Sequence, residues 1–133
     1  MLKLIYTETA PYLELLTAHL EDWIEQRLSF AVATGEQLLV SAEQASFLLP
    51  DLVCDIKAVN LYLQRAGVTT VTVQRCDLDR SEIGLTGYWL ATHTDCAEGI
   101  FVTQLPERVE SYLWQLWRHA NSPSIASNGT MGW

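Results

Sequence analysis

Two hydrophobic periods divide this sequence. Between Leu13 and Gly67 apolar side chains recur mainly every third or fourth position, and from Val68 to Val102 they recur every second position. A helix presents one face at the first spacing and a strand at the second, so the chain has to combine both kinds of element. Leu13, Leu16, Leu20, Ile24, Leu28 and Ala31 form one helical stripe. With Thr9 and Pro11 before it and Gly35 after it, the pattern predicts an amphipathic helix of about six turns. Leu52, Ile56, Val59, Leu63 and Ala66 predict a second helix, closed by Gly67. Val109, Leu113, Leu116 and Ala120 predict a third, opened by Pro106 and Glu107, where proline is tolerated and an acid favours the helix dipole.

The period-two segments read as strands. Leu2, Leu4 and Tyr6 alternate with Lys3 and Thr7 near the start, and Gln37 to Ser41 forms a short run. After Gly67, Val71 and Val73 alternate with threonines, and Ile83, Leu85, Trp89 and Ala91 point one way from the next strand. Ile100 and Val102 begin a third. Short turns at 76–80 and 94–99 join these three into an antiparallel meander. Gly84 and Gly87 inside a strand mark close backbone approach or a bulge. Residues 41–50 stay ambiguous. Ser41-Ala42-Glu43-Gln44 has the form of a capping box, while Ala45-Ser46-Phe47-Leu48-Leu49 suits a buried strand equally well. Pro50 ends either one. The expected class is α+β: an antiparallel sheet with a C-terminal three-strand meander, packed by a long N-terminal helix, a middle helix and a C-terminal helix. Residues 1–120 are expected to form one domain, followed by a polar, flexible tail at 121–133.

At 133 residues the chain can bury a core without staples. Sixteen acidic against eight basic residues give a net charge of −8, which disfavours phosphate backbones and anionic lipid. Neither nucleic acid nor membrane is an expected partner. Cys54, Cys76 and Cys96 are odd in number and lack CxxC spacing, which argues against a disulfide framework and for a reducing compartment. No signal-peptide h-region or membrane-length apolar run is present, so a cytoplasmic location is expected.

The segments Ala45-Ser46-Phe47-Leu48-Leu49-Pro50 and Glu98-Gly99-Ile100-Phe101-Val102-Thr103 occur with Met1-Leu2-Lys3-Leu4 at one end and Tyr112-Leu113-Trp114-Gln115-Leu116-Trp117 at the other. Together they resemble a family of small cyanobacterial proteins of unassigned function, over most of residues 1–120. The resemblance implies no catalytic residue to carry over. It implies a bacterial cytoplasmic setting and a non-enzymatic or accessory role.

The densest group of reactive types is His93, Asp95, Cys96 and Glu98 in the second turn. A Cys96 thiolate with His93 as base would be a nucleophile and its activator, but residues three apart in a hairpin turn need not face each other, and no oxyanion-hole glycine pattern accompanies them. A metal would draw on His93, Cys96, Cys76 and Asp77, yet the second close ligand pair of a zinc site is missing. No metal and no cofactor is expected, and no phosphate-binding glycine loop occurs. Five tryptophans are many for this length, and Trp114, Trp117 and Trp133 all fall within residues 114–133. Aromatic residues and arginine dominate protein interfaces, so Trp114, Trp117, Arg118 and Trp133 are the candidate contact surface. The leading expectation is a non-catalytic interaction module, an accessory or regulatory subunit that binds a protein partner or itself as a homo-oligomer. The alternative is a small-molecule-binding domain or minor enzyme with its site near the 93–98 turn.

Overall fold

The computed structural model describes residues 1–92 and 98–121. The expected tail lies outside them from residue 122 on. The elements in chain order are β1 (Leu2–Tyr6), β2 (Tyr12–Leu15), α1 (Leu20–Ala33), β3 (Leu39–Pro50), α2 (Ile56–Ala66), β4 (Val71–Arg75), β5 (Arg80–Ala91), β6 (Gly99–Thr103) and α3 (Glu107–Ala120). Hydrogen bonds link six antiparallel strands in the order β2-β1-β6-β5-β3, with β4 on β5. The expected α+β class holds, and so does the meander, because β4 pairs with β5 and β5 with β6, both antiparallel. No helix among the described residues is long and apolar enough to cross a membrane.

The N-terminal helix is shorter than its stripe suggests. Residues 12–15 are a strand, and α1 begins only at Leu20 and runs for 14 residues. Leu13 and Leu16 suit a helix by spacing, but β1 offers a better partner. Leu4 faces Leu13 and Leu2 faces Leu15 across an antiparallel ladder, and Lys3 pairs with Glu14 at 2.7 Å. The Thr9–Pro11 segment read as a helix start is the hairpin loop. There the Thr7 hydroxyl accepts the Ala10 N–H and donates to the Ala10 carbonyl, closing the turn.

Residues 41–50 resolve as strand. Leu39–Pro50 runs unbroken for 12 residues, with Phe47 and Leu49 buried and Leu48 exposed between them. The capping-box serine caps nothing; its hydroxyl donates to Glu43 on the same strand. The second helix also begins later than expected. Asp55 is its N-cap, accepting the N–H groups of Lys57 and Ala58, and Gly67 in the left-handed region ends it. Leu52 therefore stands outside the helix.

The chain divides into two compact units, Met1–Ala45 with Thr86–Glu110, and Ser46–Leu85 with the described part of Ser111–Trp133. In the first, Met1, Leu90 and Val102 form a buried cluster on which Leu20, Trp23 and Ile24 of α1 pack. Leu90, rather than the expected Trp89, is the fully buried residue there. Gly87 is required by a close approach: a Cβ at that position would overlap the Val102 carbonyl and meet the Phe101 ring at 2.8 Å. In the second unit, Ser81, Ile83 and Leu85 of β5 are buried alternately with the half-exposed Glu82 and Gly84, and Val71 faces Leu85 in the β4 register. Val59 and Leu63 of α2 are buried in the same unit.

Candidate functional site

Helix α3 carries the residues that sequence reading singled out. It starts because the Pro106 carbonyl accepts the N–H groups of Val109 and Glu110, and Glu107 and Glu110 sit in the first turn where the dipole favours them. Its second half belongs to the unit that contains β4 and α2. Leu113 is fully buried, and its neighbours on either side of the stripe are aromatic. Trp117 meets Phe47 edge-on, with ring centroids 5.3 Å apart at 89°. Tyr112 lies tilted on Tyr62 at 4.2 Å. Trp114 is half-buried, with the Arg118 guanidinium 5.2 Å above its ring. The expected trio of Trp114, Trp117 and Arg118 is thus brought onto one helix flank, but Trp117 is partly used in packing. Trp133 lies outside the described residues.

Beside these rings is a concavity of about 430 Å³, lined by Tyr112, Gln115, Leu116, Arg118 and His119. It joins an apolar floor to three polar or cationic side chains. Burial pushes the Tyr112 hydroxyl above its ordinary ionisation range, with nearby Cys54, Tyr62 and Asp55 adding to the effect. The ring is therefore a neutral hydrogen-bonding group at physiological pH.

The reactive turn cannot be placed in the same way. His93, Asp95 and Cys96 lie outside the described residues. Glu98 is described and exposed, and its carboxylate accepts the Glu8 N–H at 3.3 Å, which ties it to the loop between β1 and β2. Among the described residues no three His, Cys, Asp or Glu side chains converge as metal ligands. Cys76 and Asp77 are exposed on the turn between β4 and β5.

A second group lies around Cys54, a small buried side chain whose polar neighbours sequence reading did not single out. Cys54 is buried, and desolvation pushes its thiol up, against a smaller lowering effect of the Ser81 hydroxyl beside it and with a further raising effect from Asp51 and Asp55. A nucleophilic cysteine needs the opposite shift. Ser81, fully buried, donates to Asp51 at 3.1 Å, and the other oxygen of Asp51 takes Arg75 at 2.7 Å. Arg75 donates as well to the Leu78 carbonyl at 2.8 Å, and the Asp51 N–H donates to the Asp79 carbonyl at 2.8 Å. The turn after β3 and the turn between β4 and β5 are therefore locked together.

No curated protein and no solved structure matches this chain. The Alr0857-like family matches residues 1–121, a stretch that holds all four segments of the sequence resemblance. With nine tenths of its length inside that match, the chain is a member of the Alr0857-like family.

Proposed function

We propose that this chain is a non-catalytic protein-interaction module, an accessory or regulatory subunit whose contact surface includes the Trp114–Arg118 flank of α3. The observation that carries the reading is the guanidinium of Arg118 stacked on the Trp114 ring at the rim of the α3 concavity. Tryptophan, tyrosine and arginine are the residues that dominate binding energy when a partner desolvates them, and here all three are held in place by a helix. Among the described residues, Cys54 and Tyr112 have their ionisation displaced by burial and are both held neutral, which suits packing better than nucleophilic or base catalysis. A second copy is the simplest partner for this face, since two-fold dimers are the commonest assembly. The net charge of −8 supports a partner other than nucleic acid. A cytoplasmic setting belongs to the same reading, supported by the free thiols of Cys54 and Cys76.

Light scattering over a concentration series tests it, with Trp114→Ala and Arg118→Glu as variants. Concentration-dependent dimerisation weakened about tenfold or more by either substitution is the expected result. A strict monomer at high concentration that also captures no partner would contradict the proposal. A small-molecule role is the second reading, favoured by Gln115, Arg118 and His119 converging on a concavity of about 430 Å³. Saturable stabilisation of the protein by a metabolite, abolished by Arg118→Ala, would select it.

A further inference from the structure

The most exposed large apolar residues of the described chain are Leu78, 94% exposed, and Leu52, 83% exposed. They lie 26 positions apart in sequence and on adjoining turns in space. Each is next to the residue that ties the turns together, because the Asp51 N–H bonds the Asp79 carbonyl and Arg75 bridges the Asp51 carboxylate and the Leu78 carbonyl. The base of the turn between β4 and β5 is closed by the Cys76 and Asp77 N–H groups, both donating to the Arg80 carbonyl. Single exposed leucines on a surface need no explanation. Two of them on turns whose backbone is fixed by five hydrogen bonds are different: the backbone ordering that binding normally costs has already been met in folding.

The charges around them say what can cover them. Asp51, Asp77 and Asp79 lie on the same two turns and Asp55 just after the first, against Arg75, Arg80 and Lys57, and Arg75 is already committed to Asp51. A second copy of the same acidic tip would bring like charges together, and an anionic lipid surface would be repelled as well. A partner with an apolar socket rimmed by lysine or arginine would be attracted at long range and would bury both leucines at contact. We propose that the Leu52–Leu78 tip is a docking prong for a different protein, one that presents a basic-rimmed apolar socket. This rests on the interaction-module reading and names the partner chemistry at side chains other than Trp114 and Arg118.

Photo-crosslinking with the full chain tests it. Benzoylphenylalanine replaces Leu52, Leu78 or, as a comparison, Trp114, and the crosslinked peptides are sequenced from cells that express the protein. Leu52 and Leu78 should both crosslink to one partner protein, at apolar residues flanked by Lys or Arg. With that partner purified, Leu52→Ser with Leu78→Ser should weaken binding roughly 100-fold or more, since two buried leucines are lost. Asp77→Asn with Asp79→Asn should slow association and reduce its salt dependence. Both serine sites are solvent-exposed, so the double variant keeps its fold, which circular dichroism checks. Crosslinks from 52 and 78 only to another copy of this chain would overturn the proposal. So would leucine-dependent sedimentation with phosphatidylcholine vesicles. Crosslinks from position 114 with none from 52 or 78 would overturn the prong and leave the interaction module standing. No crosslink from any position, with a strict monomer, would overturn both.

Discussion

Replacing Glu110 by glutamine should destabilise this protein far more than a surface charge change. Glu110 is the buried partner of the chain's own α-amino group. The Met1 ammonium lies 3.2 Å from Glu110 Oε1, and the two groups are 0% and 4% exposed. The same ammonium donates to the Leu16 carbonyl at 2.6 Å, while the Leu16 N–H donates back to the Met1 carbonyl at 2.8 Å. The second carboxylate oxygen of Glu110 accepts the buried Leu105 N–H at 3.1 Å. Glutamine matches glutamate in size and can still accept from Leu105. Its amide then turns N–H groups toward the ammonium, so a positive charge stays buried without a counter-ion. Breaking a buried ion pair from one side costs about 3–5 kcal/mol. A single domain has only about 5–15 kcal/mol in total, so much of the stability goes. Urea unfolding followed by tryptophan fluorescence measures the change, with wild type and variant compared at equal slope. Nα-acetylation supplies the control. It removes the charge from the other side, so the acetylated Glu110→Gln chain should lose less than the sum of the two single changes. A loss below about 1 kcal/mol for Glu110→Gln, or full additivity in the cycle, would refute the buried pair, because values that small belong to exposed ones.

Four other perturbations have expected outcomes. Gly87→Ala places a methyl into the Val102 carbonyl and the Phe101 ring, and since the carbonyl cannot retreat without disturbing the β5–β6 ladder, the loss should reach the upper part of about 1–3 kcal/mol in urea unfolding. Asp55→Ala removes the acceptor for the Lys57 and Ala58 N–H groups and should cost about 1 kcal/mol, with Asp55→Ser recovering most of it. Iodoacetamide should modify exposed Cys76 quickly and Cys54 only through unfolding, as peptide mapping over time will show. Cys54 also carries a pH dependence. Its thiol is raised above the ordinary value of 9.0, mainly by desolvation, so the unfolded chain ionises first. Its contribution is whole below 9.0 and is lost as pH rises through the higher folded value, and Cys54→Ala should flatten that alkaline decline.

The elements that could be read from the sequence are those whose partners are local. Val59 and Leu63 followed by Gly67 fix α2, and Ile83 and Leu85 fix the inner face of β5, because each pattern is complete within its own segment. Residues 12–16 misled because Leu13 fits both Leu16 at helical spacing and Leu15 at strand spacing. The choice was made by β1, which supplies Leu2, Leu4 and the Lys3 charge opposite Glu14. Residues 39–50 hid their nature for a different reason. Only Phe47 and Leu49 of that strand are buried, so its first half shows no alternation to read. At the candidate site, Trp114 and Arg118 were legible as neighbours one helical turn apart, whereas the Phe47 and Tyr62 partners of α3 lie at least 50 positions away in sequence. Leu52 was assigned to a helix because it keeps the spacing of Ile56, Val59 and Leu63. Asp55 was the missed signal, since an N-cap directly before Ile56 leaves Leu52 in the preceding turn.

Several carboxylates among the described residues hold the backbone in place. Glu98 accepts the Glu8 N–H, Asp51 takes Ser81 and Arg75, Asp55 caps α2, and Glu110 joins the chain start to Leu105. Among the described residues no buried side-chain polar atom lacks a hydrogen-bond partner. The most exposed large apolar side chains of the described residues, Leu78 and Leu52, stand on braced turns that also carry Asp77 and Asp79. On the docking proposal, recognition draws on apolar area already fixed in place by these turns. A partner chosen by such a tip is selected twice, by shape at the leucines and by opposite charge at the rim, which is why removal of either feature alone should be visible in the affinity.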